Sequence, residues 1–293
     1  MTPLVLGLLA VALAGPVPSA LARVPALRRT PVAAMVLWQA LALAAVLAAL
    51  GAGLSLVTTH VWRTAPSLGA VVVAAVAGAV TLVVLVRLLL SGHRVGTQLR
   101  ELRRRHRAQV DLLSRREGGG PGEGYRVIDH EIPVAYCLPG VRGARIVVSA
   151  GAAEHLDAEQ LAAVLAHERA HLRHRHDLVL EAFTVLHRAF PVFVSSRAAL
   201  AQVQLLAEIL ADRAAVEAVG PRALCEALLA MAGGRAPQGA MGAGASDLAA
   251  RVEAIGDRAQ RPAQTVAVLA AALALLLLPT LLVVTPWLAS LLG

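Results

Sequence analysis

The sequence predicts a membrane α-helical protein, with four transmembrane helices and an α+β domain inserted between the third and the fourth. Apolar residues make up 57% of the 293 positions and charged residues only 16%, a balance foreign to an ordinary soluble domain. Four apolar runs are each long enough to cross a hydrocarbon layer of about 30 Å, which takes about 20 helical residues. The stretch between the last two runs is polar and reads as short strands followed by helices.

The first run, 1–22, is interrupted by Pro3, Pro16 and Pro18. A cleaved signal peptide is the alternative, but no basic residue precedes the run, while Arg23, Arg28 and Arg29 follow it. That charge order predicts a retained span with its N-terminus outside. The second and third runs cover 32–57 and 68–90, joined by a short outside loop that carries only His60 and Arg63. Arg87 can snorkel to the cytoplasmic interface.

A predicted helix then carries His93, Arg94, Arg100, Arg103, Arg104, Arg105, Arg107, Arg115 and Arg116, with Leu99, Leu102, Val110 and Leu113 at near-helical spacing. The formal charge is +8, all the basic residues are arginine, and this cluster marks its side as cytoplasmic. We read it as a topology anchor on acidic headgroups. Direct nucleic-acid binding is not expected, because no aromatic residues are interleaved for stacking. The segment 117–124, with five glycines and a proline, is a flexible boundary. The resulting domains are 1–92, three spans; 93–124, basic helix and linker; 125–262, the cytoplasmic domain; and 263–293, the fourth span.

Within the cytoplasmic domain, 125–151 reads as strands separated by turns at Pro139-Gly140 and Arg142-Gly143, and 145–149 as an edge strand suited to peptide binding by strand addition. Asp157 and Gln160 predict the capped start of a helix, on which Leu161, Leu165 and Leu172 form an apolar stripe. The segment 178–194 reads as a core or interfacial helix, with shallow membrane insertion as the alternative. A loop at 233–244 and a short helix at 247–255 follow. The last run, 265–292, contains Pro279 and Pro286, and Arg258 and Arg261 precede it on the cytoplasmic side, so both termini are expected outside. Cys137 and Cys225 are too few for a disulfide framework and read as free buried thiols.

The chemistry centres on His167-Glu168-Arg169-Ala170-His171, H-E-x-x-H inside the helix that Asp157 caps. Residues four apart share one helical face, so His167 and His171 can aim both imidazoles at one ion, with Glu168 beside it. Zinc accepts neutral nitrogen donors and, in a catalytic site, a third protein ligand and a water whose pKa it lowers to roughly 7. A neighbouring carboxylate can then take the proton. Three residues are candidates for the third ligand. His174 is seven residues, about 10.5 Å of rise, beyond His167. Asp177 holds the last position of H-E-x-x-H-x-x-G-x-x-H, but residue 174 is His where that pattern turns on glycine. Glu208 lies on a second predicted helix with Asp212 four residues on, and in combination with the motif it is the favoured ligand. Asp212 would then hydrogen-bond a ligand imidazole. His174, His176 and His187 are otherwise assigned to helix faces without chemistry.

The run His167-Glu168-Arg169-Ala170-His171-Leu172-Arg173-His174-Arg175-His176-Asp177, followed by Glu208-Ile209-Leu210-Ala211-Asp212, resembles the integral-membrane gluzincin peptidases of the BlaR/MecR type. Pro133 to Gly140 and Arg145 to Gly151 are similar to the strands that precede the zinc helix there. The resemblance implies a gluzincin-type zinc protease domain, with Zn2+ on His167, His171 and Glu208 and with Glu168 as general base. Sensor-type members continue into an extracellular penicillin-binding domain, so beta-lactam sensing is not expected of this polypeptide alone.

The implied function is an integral-membrane zinc endopeptidase, with its protease domain in the cytoplasm, that cleaves a cytoplasmic protein in signal-dependent regulated proteolysis. The substrate would be a repressor of the BlaI/MecI kind or the protease's own loop. The alternatives are a membrane-protein quality-control protease and a non-enzymatic membrane signalling scaffold. A purely structural metal site would have no use for Glu168.

Overall fold

The computed structural model describes residues 2–61, 67–118, 124–140, 143–192, 194–231, 241–242, 248–257 and 259–292. The expected loop around Arg63, most of the glycine-rich boundary, the turn at Arg142, most of the expected 233–244 loop and Arg258 lie outside them. The chain divides into two compact units, one of Met1–His93, Ala182–Val203 and Arg261–Gly293, the other of Arg94–Glu181 and Gln204–Gln260.

The first unit is helical. It contains α1 (Thr2–Ala14), α2 (Pro16–Leu21), a 3-10 turn at Pro25–Arg29, and α3 (Pro31–Val61). To these it adds the first part of α4 (Leu68–Leu113) and α11 (Pro262–Leu292). Proline opens α2, α3 and α11 at their first positions, where a missing N–H leaves no hydrogen bond unmade. α3 packs on α1 and α11 through small or apolar positions, among them Ala34, Trp38, Leu41, Ala44 and Ala48. Gly53 of α3 permits the approach of α4, since a Cβ there would collide with the Thr81 side chain.

The segments Thr2–Leu21, Pro31–Thr58, Leu68–Leu113 and Pro262–Thr285 are long and apolar enough to cross a membrane. Large apolar side chains point outward along them, with Leu4, Leu68 and Leu89 at 72%, 82% and 64% exposure. Only 6% of the most apolar stretch of α4 is buried within the protein, leaving a surface that suits lipid and not water.

The expected helix at 178–194 is α7 (His176–Ala189), and its residues from Ala182 onward belong to this apolar unit. Phe183, Leu186 and Phe190 line an apolar cavity of about 320 Å³ with Trp38, Leu41 and Leu88. Arg87 Nε donates to the Ala189 carbonyl at 2.9 Å, and its guanidinium lies over the Phe190 ring.

The second unit is built on a five-stranded sheet. Its strands are β1 (Ser114–Glu117), β2 (Tyr125–Ile128), β3 (Ala135–Leu138), β4 (Arg145–Ser149) and β5 (Met241–Gly242), in the order β1-β2-β4-β3-β5. β2 and β4 run parallel and the other pairs antiparallel. The helices are α5 (Ala150–His155), α6 (Ala158–Arg173), α8 (Ser196–Val219, from Gln204 on), α9 (Pro221–Ala230) and α10 (Leu248–Gly256).

Strand alternation sorts the core. Ala135 and Cys137 of β3, with Ile146 and Val148 of β4, face Val164 and Leu165 of α6 and Ala227 and Met231. Tyr136, Leu138 and Val147 point to the opposite face, against Val110 of α4. Each fully buried Val or Leu contributes about 1.5–3 kcal/mol. Gly151, which follows β4, has no room for a side chain, because a Cβ would run into the Glu131 carbonyl.

Three expectations change. Arg115 and Arg116 were read as helical, but α4 ends at Leu113 and they form β1, paired with Val127 and Arg126 of β2. The segment 145–149 was read as an edge strand, but β4 lies between β2 and β3 with both edges hydrogen-bonded, so it cannot take an added strand. Within the expected 233–244 loop, Met241 and Gly242 form β5 on the outer edge of β3.

Candidate metal centre

The site begins with the capping of α6. The Asp157 carboxylate accepts from the Gln160 backbone N–H at 2.8 Å, and the Gln160 side chain accepts from the Asp157 N–H at 3.2 Å. This is the reciprocal box expected from the sequence. It fixes the helix register, and the side of α6 that carries His167, Glu168 and His171 is buried along with Val164 and Leu165.

His167 and His171 bring their Nε2 atoms within 3.0 Å of each other. On α8, Glu208 completes a triangle, with Oε2 3.4 Å from His167 Nε2 and Oε1 3.4 Å from His171 Nε2. Tetrahedral bonds of about 2.0–2.1 Å place donor atoms about 3.3 Å apart, so two imidazole nitrogens at 3.0 Å, each with one oxygen of the same carboxylate at 3.4 Å, suit one zinc-sized ion. The three residues form a metal-competent group. The charges agree with this. Glu168, Glu208 and Asp212 are three carboxylates facing one guanidinium, Arg251. The carboxylates outnumber the guanidinium, a surplus of negative charge that suits a cation.

Asp212, four residues beyond Glu208 on α8, lies on the same face. Its Oδ1 is 2.9 Å from His167 Nδ1, which leaves Nε2 of that ring for the ion. His171 is oriented likewise, but by an unexpected partner. Its Nδ1 lies 2.9 Å from Nδ1 of His176. If His171 offers Nε2 to a cation, its Nδ1–H donates to His176.

That contact depends on Arg175, whose φ of 52° is the one positive value at a non-glycine among the described residues. The left-handed residue closes α6 and starts α7 at His176, one position after the glycine turn considered in the sequence. Neither rival ligand joins the site. Asp177 pairs with Arg175 at 3.2 Å and with Arg103 at 3.8 Å, and His174 stacks on His176.

Glu168 is fully buried, and neither carboxylate oxygen makes a hydrogen bond of normal geometry among the described residues. The Cys137 thiol of β3 lies beside it. Burial raises the Glu168 pKa, and the two histidines only partly oppose it. Burial likewise pushes the Cys137 thiol well up. For Glu208, burial acts upward but is outweighed by the attraction of His167 and His171, which holds its carboxyl well below the usual range. Asp212 is lowered because Arg251 and His167 outweigh its burial. Burial disfavours charge on His167, yet Asp212 and Glu208 prevail and raise it to about 10. His176, buried beside His171 and His174, falls to about 3 and is a neutral acceptor.

Two residues around the ligands escaped the sequence reading. His176 is five positions from His171, outside helical periodicity, and only the turn at Arg175 brings it back. Arg251 left a trace, since in Leu248-Ala249-Ala250-Arg251-Val252-Glu253-Ala254-Ile255 it occupies the apolar stripe, three after Leu248 and four before Ile255. A charge on that stripe needs a buried partner.

Residues 100–233 match the model of peptidase family M48, a family of zinc metallopeptidases. The matched segment contains His167, His171, Glu168, Glu208 and Asp212 and ends before Arg251. No curated protein and no solved structure matches the chain.

Proposed function

We propose that the protein is an integral-membrane zinc endopeptidase in which His167, His171 and Glu208 hold the metal, Glu168 is the general base and Asp212 orients His167. The observation that carries this reading is the triangle of donor atoms beside a buried, unpartnered carboxylate. When bound, the metal supplies a Lewis acid that polarises the scissile carbonyl and acidifies water.

The remaining chemistry belongs to the chain. Burial raises the Glu168 pKa, which makes its carboxylate a stronger proton acceptor than an exposed one. One of its oxygens takes the proton of the attacking water as the C–O bond forms, and returns it to the amide nitrogen as the C–N bond breaks. Asp212 and His176 hold the two imidazoles so that each presents Nε2. The walls of α6, β3 and α8 exclude bulk water from Glu168.

The arginines after the first apolar segment and those of α4 support a cytoplasmic peptidase unit with both termini outside. The BlaR/MecR-type resemblance supports a cytoplasmic protein substrate, such as a repressor of the BlaI/MecI kind, cut in response to a signal. The test is the zinc content of the detergent-purified protein beside Glu208→Ala and Glu168→Gln, with casein and self-cleavage followed in the same samples. The expected result is about one zinc in wild type, loss of metal in Glu208→Ala, and retained metal with cleavage down about 10²- to 10⁴-fold in Glu168→Gln. A wild-type protein without zinc, or a Glu168→Gln variant that still cuts normally, would refute the reading.

A further inference from the structure

The candidate ligands lie on α6 and α8, but the group that ties them together comes from α10. Arg251 is 1% exposed; two guanidinium nitrogens bond Asp212 and the third lies within ion-pair distance of Glu208. Nε donates to Asp212 Oδ2 at 2.8 Å and Nη2 to Asp212 Oδ1 at 2.6 Å. Nη1 lies 3.1 Å from Glu208 Oε2. The arginine is held by the packing of its own helix, where Ile255 and Leu248 join Leu224, Leu228, Ala163 and Ala215.

A buried ion pair adds little net stability over apolar side chains of the same volume. What the two directed bonds to Asp212 add is geometry. Asp212 Oδ1 accepts from Arg251 and faces His167 Nδ1 at 2.9 Å, so the carboxylate cannot rotate away from the imidazole without breaking the fork. Glu208 Oε2 lies between the guanidinium, at 3.1 Å, and His167 Nε2, at 3.4 Å, while Oε1 faces His171 Nε2 at 3.4 Å.

We propose that Arg251 is a positioning residue of the metal centre: its guanidinium, forked onto both oxygens of Asp212, locks that carboxylate onto His167, and its charge lies beside Glu208. Lysine cannot replace it, because one ammonium head cannot hold both oxygens of Asp212 and reach Glu208 in one plane. This inference rests on the metallopeptidase reading, and the experiment separates the two.

The full-length protein in detergent is loaded with cobalt(II) in wild-type, Arg251→Lys and Arg251→Met forms. For each, the visible absorption spectrum, the metal affinity against a competing chelator and the thermal midpoint are measured. Wild type is expected to show the intense visible bands of a four-coordinate ion. Arg251→Lys should stay folded, with a thermal midpoint near wild type, yet show weaker, shifted bands as Asp212 and with it His167 lose their fixed orientation. It should also bind metal about 10- to 100-fold more weakly. Arg251→Met should show the same spectral change. On casein, both variants should lose kcat with KM little changed.

A wild-type spectrum and affinity in Arg251→Lys would overturn the proposal, because charge alone would then suffice. A wild-type spectrum in Arg251→Met, or an Arg251→Lys variant that does not fold, would assign Arg251 to packing instead. A wild-type protein that takes up no cobalt would refute the metallopeptidase reading itself, and this proposal with it.

Discussion

Replacing Asp212 by alanine removes the one acceptor that Arg251 grips with two donors and that His167 meets through Nδ1. Both side chains of the ion pair are almost wholly buried, at 1% and 2% exposure, so water cannot replace the lost contacts. The guanidinium would be left with Glu208 at 3.1 Å. Breaking a buried pair by deleting one partner costs about 3–5 kcal/mol, which for a unit of this size lowers the thermal midpoint by about 6–20 °C. Asp212→Asn, which keeps the shape and one acceptor oxygen, should lose less. Deleting both partners in Asp212→Ala/Arg251→Met should cost less than the sum of the single changes by about 1–3 kcal/mol, since no uncompensated charge remains.

The assay is thermal unfolding of the metal-free protein followed through tyrosine in the near ultraviolet. Both tyrosines, Tyr125 and Tyr136, lie in the sheet, whereas Trp38, Trp62 and Trp287 lie outside the segment 94–260 and would report on a different part of the chain. An Asp212→Ala midpoint within about 2 °C of wild type, or strictly additive single changes, would refute the reasoning.

Removing the partner of His171 in His176→Ala should weaken metal binding about 10- to 100-fold with the ligand set intact; chelator competition giving the wild-type constant would rule out that role. The raised His167 pKa, about 10, means that the metal-free site holds a proton at neutral pH. Metal must expel that proton, so affinity should rise about tenfold per pH unit between pH 6.5 and 8.5. Calorimetry in buffers of different ionisation enthalpy should count about one proton released per ion; a flat affinity across that window refutes the assignment. Without metal the sign reverses for stability, since a raised folded-state pKa stabilises fully below the unfolded value and the benefit is lost as pH rises toward 10. Metal-free protein should therefore unfold more readily at pH 9 than at pH 6. Asp157→Ala removes the α6 cap and should cost about 1 kcal/mol, read as a small drop in midpoint with metal content unchanged.

What the sequence revealed follows the range of the physics involved. The Asp157/Gln160 box, the stripe on α6 and the pairing of Glu208 with Asp212 are local patterns, readable at spacings of three and four. The long apolar helices are equally legible, because composition over about 20 residues sets them. The order of the sheet was not, because β4 alternates and turns no differently as a central strand than as an edge strand; only the pairing with β2 and β3 distinguishes them. Arg115 and Arg116 continue the charge pattern of the preceding helix, and only tertiary pairing with β2 makes them a strand. His176 was missed because a single backbone angle at Arg175 folds it back. Arg251 was missed because it meets Asp212 across 39 residues of sequence.

That separation has a practical consequence for where the peptidase unit can be cut. The segment matched to the family ends at residue 233 and already contains every candidate ligand, so it invites expression as a free-standing fragment. Such a fragment would carry Glu208 and Asp212 without the only guanidinium placed between them among the described residues, and without β5 on the margin of the sheet. Its two carboxylates would have to find a counterion elsewhere, and whatever cation was at hand during purification would serve. Metal selectivity measured on that fragment would describe the truncation. A fragment that keeps the site as the whole chain builds it must run at least to Gly256.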